Sequence, residues 1–167
     1  MKIESGQRRE FRYDTPNWSH FGFGEGWEFG RCNRCLDHVS STKTAGPDAV
    51  NCWKVLVFAD AVTNFDEVTR YLVERAEEEK EIVGKWQRGR GVLAVVYATS
   101  EIRRDELKTS IYHDLKKRGL LKKSFLPYRR GCRQFERYLG PWRSWEAGKG
   151  VGPSLQDSLE ASDMSEE

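Results

Sequence analysis

"CWKVLVFAD", residues Cys52 to Asp60, holds four consecutive apolar residues, Val55, Leu56, Val57 and Phe58. Such a run between polar flanks reads as a strand, and continuity rather than alternation implies that both of its faces are covered. A second run, "GVLAVVYA" (Gly91 to Ala98), has the same character. Between the two, Val68, Leu72, Ala76 and Val83 lie near one face of a helix expected from Phe65 to Val83, with Thr63 or Asn64 as its cap, "ERAEEEKE" on the solvent side and Gly84 as its stop. After the second strand, Ser100 caps another helix with Glu101 in its first turn, and Leu107, Ile111 and Leu115 mark its core face. Gly119 ends this helix, and Leu120 is placed to fold back in a Schellman motif. "SFLPY" (Ser124 to Tyr128) reads as a third, edge strand, because Pro127 cannot donate to a ladder. "CRQFERYL" reads as a short helix stopped by Gly140 and Pro141. The order strand, helix, strand, helix, strand predicts an α+β domain, or a small α/β one. A ferredoxin-like sheet is the specific expectation; a small parallel sheet is its competitor.

Outside this core the composition changes. "REFRYDT" (Arg9 to Thr15) alternates polar and aromatic residues and suits a short strand. "HFGFGEGWEFGRCNRCLDH" (His20 to His38) follows, with Phe21, Phe23, Trp27 and Phe29 at odd positions and Gly22, Gly24, Gly26 and Gly30 between them. In an extended chain the rings share one side, and the glycines leave the other bare for close approach of a second backbone. The rings would otherwise serve as a platform for flat ligands, or plug the core as an irregular loop. "SSTKTAGPDAV" (Ser40 to Val50) has the composition of a loop. From Glu146 onward disorder is expected: Ser154 to Glu167 hold five acids, four Ser and no base. The expected organisation is an aromatic, Gly-rich segment with a Cys pair at 1–50, an α/β core at 51–145 and an acidic tail at 146–167.

A chain of 167 residues, 38% hydrophobic and 32% charged, supports one domain with a modest core. No apolar run approaches the ~20 residues of a membrane span. The first residues, "MKIESGQRRE", hold no apolar h-region, so an intracellular location, cytoplasmic or nuclear, is expected. Four Cys in a reducing compartment favour thiols or metal ligands over disulfides.

Cys32 and Cys35 have the spacing that presents two sulfurs to a tetrahedral metal; His38 and Cys52, with His20 in reserve, are the candidates for the remaining ligands of a zinc site. A glycine-rich aromatic ribbon ending in a thiol pair is similar in construction to a zinc knuckle or zinc ribbon. Buried thiols without metal are the competing reading.

The net charge of +2 hides an asymmetry. From Arg103 to Arg143 there are thirteen Lys or Arg against four acids, interleaved with Tyr112, Phe125, Tyr128, Phe135, Tyr138 and Trp142. "KWQRGRG" (Lys85 to Gly91) adds a second basic stretch. Cations attract phosphates and rings stack on bases, so RNA or single-stranded DNA is the expected partner. The candidate contacts are Arg88, Arg90, Lys116, Lys117, Arg118, Lys122, Lys123, Tyr128, Arg129, Arg130, Arg133 and Trp142. Trp142 and Trp145, three apart, either stack on a ligand or clamp the chain end onto its own domain.

No phosphate-binding glycine loop of standard form and no two-His metal helix is present, so an enzyme is the weaker expectation. Cys52 followed by Trp53, with His113 in "YHDL", suggests a Cys–His hydrolase. The Cys–Trp step resembles several papain-like viral leader proteases, which place an aromatic residue after the nucleophile. That resemblance covers two residues, and a papain-type cysteine opens a helix where Cys52 starts a strand. The expected function is a small nucleic-acid-binding accessory protein, zinc-stabilised and of viral or mobile-element origin on one reading. A protein-interaction adaptor using the aromatic segment and acidic tail is the alternative.

Overall fold

A computed structural model describes residues 18–22, 31–79, 82–89, 91–132 and 135–146, with the side chains of residues 31–33 excepted. The stretch from Arg9 to Thr15, the ribbon from Phe23 to Gly30, Arg90, Arg133 and the acidic segment Ser154 to Glu167 lie outside the described residues.

The chain is mixed α and β. Its strands are β1 (Ser19–Phe21), β2 (Trp53–Phe58), β3 (Val83–Trp86), β4 (Val92–Ala98) and β5 (Tyr128–Arg130). Its helices are α1 (Arg31–Thr42), α2 (Pro47–Val50), α3 (Phe65–Glu78), α4 (Glu101–Lys117) and α5 (Glu136–Leu139). The strands form one antiparallel sheet in the order β1-β3-β4-β2-β5. The β1/β3, β3/β4 and β4/β2 pairs are each antiparallel, which sets aside the parallel alternative. The contacts divide the chain into two compact units, Met1–Phe29 with Trp53–Arg129 and Gly30–Cys52 with Arg130–Glu167.

In the first unit, β2 alternates: Trp53, Val55 and Val57 are buried, Lys54, Leu56 and Phe58 half-buried. Leu93 to Val96 of β4 are all buried, as continuous apolarity requires. Asn64 caps α3, its side chain accepting from the Glu67 N–H at 3.2 Å, and Ser100 caps α4 by accepting from the Arg103 N–H at 3.1 Å. The end of α4 is a Schellman motif: the Leu120 N–H donates to the Leu115 carbonyl at 2.8 Å and the Gly119 N–H to Lys116 at 3.0 Å, with Gly119 at φ 69°.

Two expectations for the first unit are corrected. The helix from Phe65 stops at Glu78, and Val83–Trp86 pairs with β4 as a strand. Continuation to Val83 would set Glu77, Glu78, Glu79 and Glu81 against the negative end of the helix dipole, while the strand gains a ladder. The edge strand begins at Tyr128, after "SFLP". Pro127 supplies a carbonyl that accepts from the Leu56 N–H at 2.9 Å.

Gly22 and Gly84 show close backbone approach. A Cβ on Gly22, at φ +71°, would meet the Ile82 carbonyl. A Cβ on Gly84 would meet the Val95 carbonyl and the Phe21 ring, because Phe21 pairs with Gly84 and lies over it, 4% exposed.

The second unit is helical. The segment from Ser40 to Val50, expected as a loop, holds the last turn of α1 and all of α2, where Pro47 occupies the first turn with Asp48. Cys35 and Val39, one turn apart on α1, pack with Ala45, Ala49, Phe135, Leu139 and Trp145. Among the described residues no helix is long and apolar enough to cross a membrane.

Candidate nucleic-acid interface

The core stripe of α4 is Arg104, Leu107, Ile111 and Leu115. Its first member is a cation, 7% exposed. A buried guanidinium needs partners, and it has them on every side. Its Nε and Nη2 each donate to the Asp105 carboxylate at 3.0 Å, and Glu101 stands 3.7 Å away. Its carbon lies 4.3 Å from the Trp53 ring centroid and 4.1 Å from that of Tyr128. The two rings are 6.1 Å apart and tilted by 56°, so they form a notch with the guanidinium in it. The Arg104 fork, hydrogen-bonding to Asp105, holds that carboxyl below its ordinary range.

Along the same helix, Lys108, Tyr112 and Lys116 recur every four residues and form one row. The Lys108 ammonium stands 5.0 Å from the Tyr128 centroid, and that of Lys116 stands 5.6 Å from Tyr112. The acids of α4 are engaged: Glu101 and Asp105 with Arg104, Glu106 with Arg103 at 3.3 Å, and Asp114 with the Tyr71 hydroxyl at 2.7 Å. Among the described residues Lys108, Lys116, Lys117 and Lys122 make no ion pair within 4.0 Å.

Backbone hydrogen bonds gather the loops at one end of this unit. The Ala59 N–H donates to Gly91 at 2.8 Å, the Thr63 N–H to Leu120 at 3.0 Å and the Lys122 N–H to Ala61 at 2.9 Å. Lys116, Lys117, Arg118, Lys122 and Lys123 are all exposed here. Lys123 donates to Asp60 at 2.7 Å and holds that carboxyl below its ordinary range; Arg118 lies over the Tyr71 ring at 4.8 Å. Arg88 pairs with Asp66 and, with Thr63, Asn64, Phe65 and Gly89, lines an open pocket of about 490 Å³.

The remaining expected site residues fall elsewhere. Arg129 and Arg130 are half-buried, and Arg130 Nη1 donates to the Trp145 carbonyl at 2.8 Å. Trp145 is 4% exposed and its Nε1 donates to the Gly140 carbonyl at 2.8 Å; this indole is a clamp. Trp142 is half-buried under Arg143, 4.4 Å from the ring centroid. Arg90 and Arg133 are not among the described residues.

The thiols occupy varied places. Cys32 and Cys35 fall one turn apart on α1, Cys35 within the apolar cluster of the second unit; the Cys32 side chain is not described. His38 is exposed, its Nε2 3.2 Å from the Thr44 hydroxyl. Cys52 is buried just before β2. Among the described residues no three His, Cys, Asp or Glu side chains form a metal-binding group. His113 is exposed on α4, edge-on to Tyr112 at 5.4 Å.

Tyr128 and the basic end of α4 are expected from the sequence to lie at a site; Arg104, Trp53 and Lys108, which the structure places beside Tyr128, are not among the expected contacts. One signal was present: stepping back from Leu107 along the core stripe reaches Arg104, a cation where an apolar residue belongs. The sheet adds two further pairs, Lys54 over Tyr97 at 5.7 Å and Lys85 over Trp18 at 4.7 Å. No protein-family model, no curated protein and no solved structure matches the chain.

Proposed function

We propose that the protein binds nucleic acid, RNA or single-stranded DNA, along the exposed edge of α4 and the loop that follows it. The observation that carries this reading is the charge arrangement of α4. Its four acids are engaged by neighbouring groups, while Lys108, Lys116, Lys117 and Lys122 make no ion pair among the described residues. Cations without an ion pair, Lys108 beside Tyr128 and Lys116 beside Tyr112, attract a polyanion that also carries flat rings. The element order β2–α3–β3–β4–α4–β5 and the strand order β3-β4-β2-β5 support a ferredoxin-like assignment for this unit. Titrating protein stripped of copurified material against labelled single-stranded RNA and DNA at two salt concentrations tests the reading. Binding that weakens steeply with salt supports it, and no binding at low salt refutes it.

A protein-interaction role is the second reading. Ile102 and Phe125, 75% and 61% exposed, favour it. Binding through such residues is insensitive to salt, which separates the two.

A further inference from the structure

We propose that the ring of Tyr128 is a base-stacking site for a single strand, and that Arg104 is the residue that positions it. This rests on the nucleic-acid reading above and names the part of the ligand the site recognises. Tyr128 opens the short edge strand β5 and is 37% exposed. A half-exposed ring at a sheet edge is ordinarily free to turn. Here it is contacted by the Arg104 guanidinium at 4.1 Å and the Lys108 ammonium at 5.0 Å, with Trp53 as a second wall. A ring fixed before binding loses little rotamer freedom when a base stacks on it.

Arg104 is not a phosphate ligand in this arrangement. Two of its nitrogens are committed to Asp105, and the side chain is 9% exposed. Its role is to hold two rings. The phosphate contacts fall instead to Lys108, beside the ring, and to Lys116, two turns along the same row and about 12 Å away along the helix axis. A base stacked on Tyr128 must be unstacked from its own neighbours, and in a duplex the base faces are already covered. The site therefore discriminates for single strands, and it tolerates sequence because every base has a π-face.

Fluorescence anisotropy on the full chain tests this, with a short labelled single-stranded oligonucleotide and the same sequence as a duplex. Tyr128→Ala is expected to weaken single-strand binding about 5- to 150-fold and to leave duplex binding and the salt slope nearly unchanged. Tyr128→Phe keeps the ring and is expected to retain the affinity, which guards against a variant that has merely lost its fold. Arg104→Lys is expected to weaken single-strand binding without altering the salt slope, because it holds the ring and not a phosphate. If wild type binds and Tyr128→Ala has no effect, or weakens single strand and duplex alike, the stacking site is wrong while the basic edge stands. If wild type binds neither, the nucleic-acid reading has failed.

Discussion

The Tyr71 hydroxyl donates to the Asp114 carboxylate at 2.7 Å and accepts from Arg75 Nη1 at 2.9 Å, so one phenol joins α3 to α4. Burial, and then the bond to Asp114, push its ionisation well above the ordinary 10.0. The folded state holds this proton more tightly than the unfolded chain does. Its stabilisation is therefore complete below about pH 10 and is lost as pH rises beyond that, at up to about 1.4 kcal/mol per pH unit. Chemical denaturation from pH 8 to 11 should show wild type losing stability faster than Tyr71→Phe above pH 10. The variant should also be weaker near neutrality by about 1–2 kcal/mol. Parallel pH curves for the two proteins would contradict the assignment.

Gly84 is the close-approach point of the β1 edge. An added methyl group meets a backbone carbonyl on one side and the buried Phe21 ring on the other, and neither can move away cheaply. Gly84→Ala should cost about 1–3 kcal/mol, measured by urea midpoint at constant m-value. Gly89→Ala, in the open hairpin turn where an added Cβ meets nothing within 4 Å, isolates backbone strain at φ 153° from overpacking.

Much of the first unit is legible in the residues themselves. Ser100, the four-residue spacing of Leu107, Ile111 and Leu115, and Gly119 each act through neighbours close in sequence, and the observed α4 follows them. β3 is hidden for the opposite reason. Four residues with a glycine at the second position carry almost no local preference, and what makes Val83–Trp86 a strand is the ladder offered by β4. The site divides in the same way. The basic surplus after Arg103 is visible as composition. The notch is not, because Trp53, Arg104 and Tyr128 come from β2, α4 and β5 and meet only once the sheet has formed. The Cys32–Cys35 spacing is ambiguous in principle: three residues apart is both a metal-binding pair and one turn of a helix.

Zinc on Cys32, Cys35, His38 and Cys52 is a proposal that competes with apolar packing. The described geometry favours packing for Cys35, a residue 8% exposed in a cluster with Val39, Ala45, Ala49 and Phe135. Cys35→Ala should then cost about 1 kcal/mol, with Cys35→Ser costing more because it buries a hydroxyl. A chelator should leave Tm unchanged. One bound zinc per chain, with Tm falling on chelation, reverses this assignment.

The basic edge of α4 makes a quantitative claim about salt. Each lysine that neutralises a phosphate releases condensed counterions, so removing it flattens the dependence of log affinity on log salt by about 0.7 on a single strand. Lys116→Ala, Lys117→Ala and Lys122→Ala combined should therefore flatten the slope by about two units. These side chains are exposed and make no ion pair among the described residues, so each should shift folding stability by less than about 0.5 kcal/mol. Arg103 provides the control. It lies on the same helix but is engaged by Glu106 at 3.3 Å and Glu79 at 3.6 Å. Arg103→Ala removes one positive charge from the chain, as each lysine variant does, but removes no proposed phosphate contact. If binding reflects only net charge, Arg103→Ala flattens the slope as much as a single lysine variant. If the edge of α4 is the interface, the slope responds to the lysines alone.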